Sequence, residues 1–157
     1  MKKLNKKKGI KMSNYVCYHL HTELSLLDSC TNYKLYVDRA KELGQTAIAF
    51  TEHGNLFNWI EKKMYCNENG LKYIHGIECY LTENLEPKTR DNFHTILLAK
   101  NYEGFMEINR LVDNSFTDTH FYYKPRISFN EFLRLIIECR EDFSLFSKSI
   151  KFLEKKQ

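Results

Sequence analysis

At 157 residues and 43% hydrophobic content the chain is long enough for one globular domain. No apolar run approaches the roughly 20 residues of a membrane span, and no apolar segment follows the basic start MKKLNKKKGIK, so no secretory signal and a cytoplasmic location are expected. The net charge of +4 belongs to the ends: residues 1–11 hold six lysines and 148–157 four lysines against one glutamate, leaving a body of 14 basic and 19 acidic residues without a broad nucleic-acid footprint.

Residues 1–13 are expected to be a disordered basic tail, with Met12 an alternative start, and the domain proper to occupy 14–140. YVCYHL alternates and is rich in β-formers, which predicts a strand. TNYKLYVDRAKELG places Leu35, Val37, Ala40 and Leu43 at near-helical spacing, with Gly44 as the stop. TAIAF reads as a short buried strand entering the loop TEHGN, and LFNWIEKKMYCNENG as a helix ending at Gly70. LKYIHGIECYL is a strand and ENLEPKTRDN a polar turn. FHTILLAKN is a further strand, and YEGFMEINRLVDNS a helix with Phe105, Ile108, Leu111 and Val112 on one face. HFYYKPRIS is extended, because Pro125 disfavours helix at Lys124. FNEFLRLIIECR resumes helical periodicity, and 141–157 is a divergent tail. Alternating strands and helices imply an α/β fold, mostly parallel. The five cysteines, Cys17, Cys30, Cys66, Cys79 and Cys139, are scattered without CxxC spacing, which argues against disulfides and a cysteine zinc site.

Four short stretches carry groups suited to chemistry. His19 and His21, two apart on a predicted strand, share a face; the plain alternative is a pair of partly exposed strand histidines. Asp28 follows in the next loop. In AFTEHGN a buried strand ends and Glu52 and His53 follow, where β-α architectures place their sites. Gly54 permits the required turn; a histidine capping the next helix is the equal alternative for His53. Glu78 lies within an apolar strand, where a carboxylate needs a partner unless it faces water. His94 heads another hydrophobic strand. His75 falls on the opposite face from Glu78 by parity and is read as structural, and His120 has no evident partner. Imidazoles and carboxylates at successive strand ends suit divalent cations such as zinc, manganese or iron, with magnesium possible.

The stretches HLHTELSLLDS, LYVDRAKELGQTAIAFTEHGNLFNWIEKKMYCNENGLKYIHGIECYL, FHTILLAKNYEGFMEINRLVD and YYKPRISFNEFL resemble the PHP (polymerase and histidinol phosphatase) domain. The form they resemble most stands at the N-terminus of bacterial DNA polymerase III alpha subunits. The resemblance covers about residues 15–133. It implies a distorted β/α barrel with up to three metal ions and phosphoester hydrolysis, in polymerases of a 3′-to-5′ exonuclease type. On this resemblance His19, His21, Asp28, His53, Glu78 and His94 are metal ligands. Glu52 stands where aspartate is usual, in a position that supports the ligands from behind, so the change should retune geometry without abolishing binding. The family's later ligands, a further histidine and an Asp-x-His pair, find no counterpart in IIECREDFSLFSKSIKFLEKKQ. The chain is thus expected to be a partial barrel, truncated or one half of a split polymerase, with weak or no hydrolysis alone. It should self-associate unless a partner completes it. DNA is the partner implied, with a small stand-alone phosphoesterase and an inert structural remnant as alternatives.

Overall fold

The computed structural model describes residues 15–138 and 143–147. The expected basic tail, Met12, Cys139 and most of the C-terminal segment lie outside them. The elements are α1 (Tyr33–Glu42), β1 (Ala47–Phe50), α2 (Trp59–Glu68), β2 (Lys72–Thr82), β3 (Phe93–Ala99), α3 (Tyr102–Ser115), β4 (Arg126–Ser128), α4 (Phe129–Glu138) and β5 (Phe143–Ser147). Asn32 and Asn101 cap α1 and α3 by accepting from Lys34 and Gly104 amides. Gly44 and Gly70 close α1 and α2 in the left-handed region, and the next residue in each case bonds back to the final turn.

Strands and helices alternate as the periodicity implies, but the sheet is mixed. β1 and β4 both run parallel to the long β2, whereas β3 is antiparallel to β2 and β5 to β3. The reason lies in the connection: residues 83–92 form a turn with no crossover helix, and such a link returns the chain antiparallel. β5 was not anticipated; FSLFS, assigned by sequence to the tail, pairs with Thr95 to Ala99 of β3.

The first predicted strand is corrected. YVCYHL makes only one isolated bridge, Cys17 to Ile48. Ala49 and Thr51, two apart on one segment, donate to the carbonyls of Cys17 and Leu20, three apart on the other. One extra residue is therefore inserted opposite β1, a bulge that breaks regular pairing and re-aims His19.

The alternation of β2 sorts the interior. Ile77, Cys79 and Leu81 pack with Leu97, Ile108, Leu111, Ile127, Phe129 and Phe132 on the helix-covered face. Glu78 and Tyr80 therefore point to the other face, where Ala49, Ile96 and Leu98 form a smaller core. His75, on the helix face as its parity indicated, donates from Nε2 to Asn109 Oδ1, accepts the Tyr73 hydroxyl at Nδ1 and packs on Phe105.

Candidate metal centre

The chain enters the site from five places, and β2 supplies the centre. Glu78 is buried, its backbone held by Glu52 and Gly54, which extend the β1 pairing past the strand end. One carboxylate oxygen lies 2.6 Å from His19 Nε2 and 2.9 Å from His21 Nε2. The other lies 2.5 Å from His94 Nδ1 and 3.9 Å from His53 Nδ1. Asp28 stands on the far side of His53, 3.3 Å from its Nε2 and 3.6 Å from His21 Nδ1. All six residues singled out as ligands thus converge, and the isolated-strand and helix-cap readings of these histidines do not describe their surroundings. Their donor atoms fall into three overlapping triads: His19, His21 and Glu78; His21, Asp28 and His53; His53, Glu78 and His94. Within each triad the atoms lie within 4.8 Å of one another.

The electrostatics suit cation binding. Burial alone would raise the Glu78 pKa, but hydrogen bonds from His21 and His19 and the charge of His53 outweigh it and bring it down to about 2. The carboxylate is thus ionised at any working pH. Burial works against a charged His53 and holds its pKa below the ordinary value, which favours the neutral, metal-ligating imidazole. For His21 burial acts in the same sense, yet the Glu78 and Asp28 carboxylates prevail and its pKa is raised. His19 and His21 hold two ring nitrogens 2.8 Å apart, and His53 Nδ1 is buried without a hydrogen-bond partner. Crowded ring nitrogens and an orphaned buried one are costly left as they are and natural around a shared cation.

Glu52 does not join this cluster. It is buried, accepts from the Thr22 amide and from the Thr22 and Ser25 hydroxyls, and pairs with Lys62 at 2.7 Å. Burial raises its pKa; the Lys62 ammonium and the hydroxyls more than offset this and hold it below the usual range. Ser25 relays the arrangement. While donating to Glu52 it receives the His53 amide and lies 3.2 Å from His21 Nδ1. Nε2 of His21 donates to Glu78 as the structure stands, and with a cation bound an Nδ1–H donated to Ser25 would leave the Nε2 lone pair to ligate it. Glu52 and His53 point to opposite faces because residues 52–54 continue the ladder beside Glu78, and Gly54, with φ +61°, turns the chain after them, where a Cβ would sit 2.5 Å from Pro125.

Sequence reasoning missed Ser25, Lys62 and Tyr80. Lys62 had a signal, since with Trp59 and Cys66 it sits on the inward face of α2 at i, i+3, i+7. Tyr80 stacks on His53, with ring centroids 5.7 Å apart, and lies edge-on to His94. It shares the face of Glu78 two residues along. His120, left without a role, bonds Glu131 at 2.7 Å, and Glu131 in turn caps α4 through Ser128.

The PHP domain profile matches residues 18–148. The chain is 41% identical over 113 residues to the DNA polymerase III subunit alpha of Helicobacter pylori, covering 70% of this chain and 9% of that protein. It is 41% identical over 120 residues to the Campylobacter jejuni subunit, covering 74% and 10%. The Aquifex aeolicus subunit is 31% identical over 159 residues, covering 90% and 14%. A solved Bifidobacterium adolescentis protein, assigned as a metal-dependent phosphoesterase, overlaps with a TM-score of 0.47 at 21% identity, covering 64% of this chain and 32% of that one. The chain therefore spans about a tenth of the length of these curated relatives. No helix among the described residues is long and apolar enough to cross a membrane. With the family profile spanning most of its length, the chain belongs to the PHP domain family, and its curated relatives are alpha subunits of DNA polymerase III.

Proposed function

We propose that this chain is a PHP-type metal-binding phosphoesterase domain acting on nucleic acid in a replicative, cytoplasmic setting, alongside the remainder of a polymerase polypeptide. His19, His21, Asp28, His53, Glu78 and His94 hold the divalent ions, up to three of them, one for each triad. Four imidazoles against two carboxylates favour zinc, manganese or iron over magnesium. The observation that carries the reading is the convergence of side chains from five segments, that of Glu78 included, into three overlapping triads, with His53 Nδ1 buried and unbonded among them.

Bound ions supply a hydroxide nucleophile near neutral pH and neutralise charge on the phosphate. The protein's own residues set the stage. Glu78 presents one oxygen to each half of the cluster, Ser25 fixes the His21 ring, and Tyr80 walls off water behind His53 and His94. Each triad offers three protein donors, which leaves coordination positions for water and substrate oxygens, the pattern of catalytic rather than closed structural sites.

The test strips the purified chain with chelator, reloads it with zinc or manganese, and measures retained metal and hydrolysis of bis(p-nitrophenyl) phosphate. Retained metal that is lost in Glu78→Gln and His53→Ala supports the assignment. A folded parent retaining none sinks it, and metal uptake without turnover assigns the chain a structural role.

A further inference from the structure

A cavity of about 380 Å³ is lined by Arg90, Asn92, Tyr122, Tyr123 and Lys124. Lys124 Nζ lies 4.2 Å from the centroid of the Tyr80 ring, the ring that stacks on His53 and meets His94 edge-on. A cation thus stands one ring away from two candidate ligands. The Arg90 guanidinium lies 5.4 Å from the Tyr123 ring. Among the described residues neither Lys124 nor Arg90 has a carboxylate at ion-pair distance.

The loop is shaped to display its aromatic ring. The Tyr122 amide bonds the Lys124 carbonyl, and between them Tyr123 takes φ +58°, a left-handed conformation that a bulky side chain adopts only when the surroundings impose it. The result is a tyrosine three-quarters exposed, set against Tyr122. On the same cavity wall Asn92 Oδ1 is buried without a donor. Two cations without a carboxylate partner and a displayed ring, lining one cavity whose Lys124 reaches the Tyr80 ring, match one ligand chemistry. An anionic phosphate would meet Lys124 and Arg90, and a flat base would stack on Tyr123. A carboxylate-bearing peptide would use the cations and leave the ring idle.

We infer that Arg90, Tyr123 and Lys124 form a nucleotide subsite, which takes an unpaired nucleotide of a polynucleotide strand and delivers the adjoining phosphodiester to Glu78 and His94. The inference rests on the phosphoesterase reading and names its substrate class.

The test measures fluorescence anisotropy of a labelled oligothymidylate with the full chain, both metal-loaded and in chelator, with metal content determined in parallel. Tyr123→Ala is expected to weaken binding about tenfold, Tyr123→Phe to retain it, and an abasic oligomer to bind as weakly as Tyr123→Ala. The Arg90→Gln/Lys124→Gln double variant is expected to flatten the salt dependence by more than one log unit per log unit of salt, at about 0.7 per cation for single strands. Metal content stays at the parent value in all of them. Unchanged affinity in Tyr123→Ala, equal binding of the abasic oligomer, or no oligonucleotide binding by the parent overturns the subsite, and the metal assignment stands if metal is still retained. A parent that holds no metal yet loses oligonucleotide affinity on Tyr123→Ala keeps the subsite and removes the metal assignment.

Discussion

Replacing Lys62 by methionine isolates what the buried ion pair contributes. Lys62 and Glu52 both have side chains only 2% exposed, and they meet at 2.7 Å. Methionine fills nearly the same space but leaves the Glu52 carboxylate without its cation, keeping only the hydroxyl and amide donors of Thr22 and Ser25. Breaking one partner of such a pair costs about 3–5 kcal/mol. Against a total stability of roughly 5–15 kcal/mol, the fall in Tm is about 10–15 °C. The sign with pH follows from the carboxyl. In the parent its pKa is depressed, so its stabilisation is present above the unfolded-state value and lost as pH falls through the depressed one. In Lys62→Met burial acts unopposed, the pKa rises, and protonation relieves the stranded charge. The gap between parent and variant is therefore widest near pH 7–8 and narrows below about pH 5. Urea melts of the parent, Lys62→Met, Glu52→Gln and the double variant across that range measure it. The double variant should recover much of the loss, because neither charge is stranded. A Lys62→Met protein as stable as the parent, or equally destabilised at pH 4 and pH 8, would refute the reasoning.

Ser25→Ala removes the hydroxyl between Glu52 and His21, and metal affinity measured by competition with a chelating dye should drop about 10- to 100-fold with the fold intact. Gly54→Ala combines φ +61° with a Cβ 2.5 Å from Pro125, a loss of about 2–3 kcal/mol by urea titration. His75, buried between Tyr73 and Asn109, has its pKa pushed down to about 4, chiefly by burial. The group is neutral in the fold but charges in the unfolded chain, so stability is full above about pH 6.5 and falls by up to roughly 3 kcal/mol as pH drops to 4; this slope should be absent in His75→Gln. Finally, β5 has one paired edge among the described strands, and Ile60 and Met64 on α2 are exposed beside Phe57 in the turn before it. Sedimentation velocity should reveal concentration-dependent self-association, reduced in Ile60→Lys/Met64→Lys.

What could be read without coordinates was whatever depends on period and burial. Glu78 between Ile77 and Cys79 announced a buried carboxylate, and parity alone separated His75 from it. The helix stops at Gly44 and Gly70 were equally local. The inserted residue between Cys17 and Leu20 was not legible, because alternation in YVCYHL is satisfied by a regular strand and only the pairing with Ala49 and Thr51 reveals the extra residue. Nor was the antiparallel return at β3, which turns on the lack of a helix in a ten-residue link. Lys62 was hidden by its type: a lysine on an apolar helix face reads as a solvated neighbour until a carboxylate ten residues earlier is known to be buried beneath it.

The same contact explains why a glutamate stands at position 52, where the family resemblance marks aspartate. Its carboxylate must meet Thr22 and Ser25 on one side and Lys62, on α2, on the other. A side chain one methylene shorter, anchored at the same Cα, draws back about 1.5 Å and gives up one side or the other. Held to Ser25, it strands the Lys62 ammonium. Held to Lys62, it frees the hydroxyl that orients His21 and receives the His53 amide. The longer acid satisfies both, so the residue that departs from the family pattern couples helix packing on one face of the sheet to the orientation of two candidate ligands on the other.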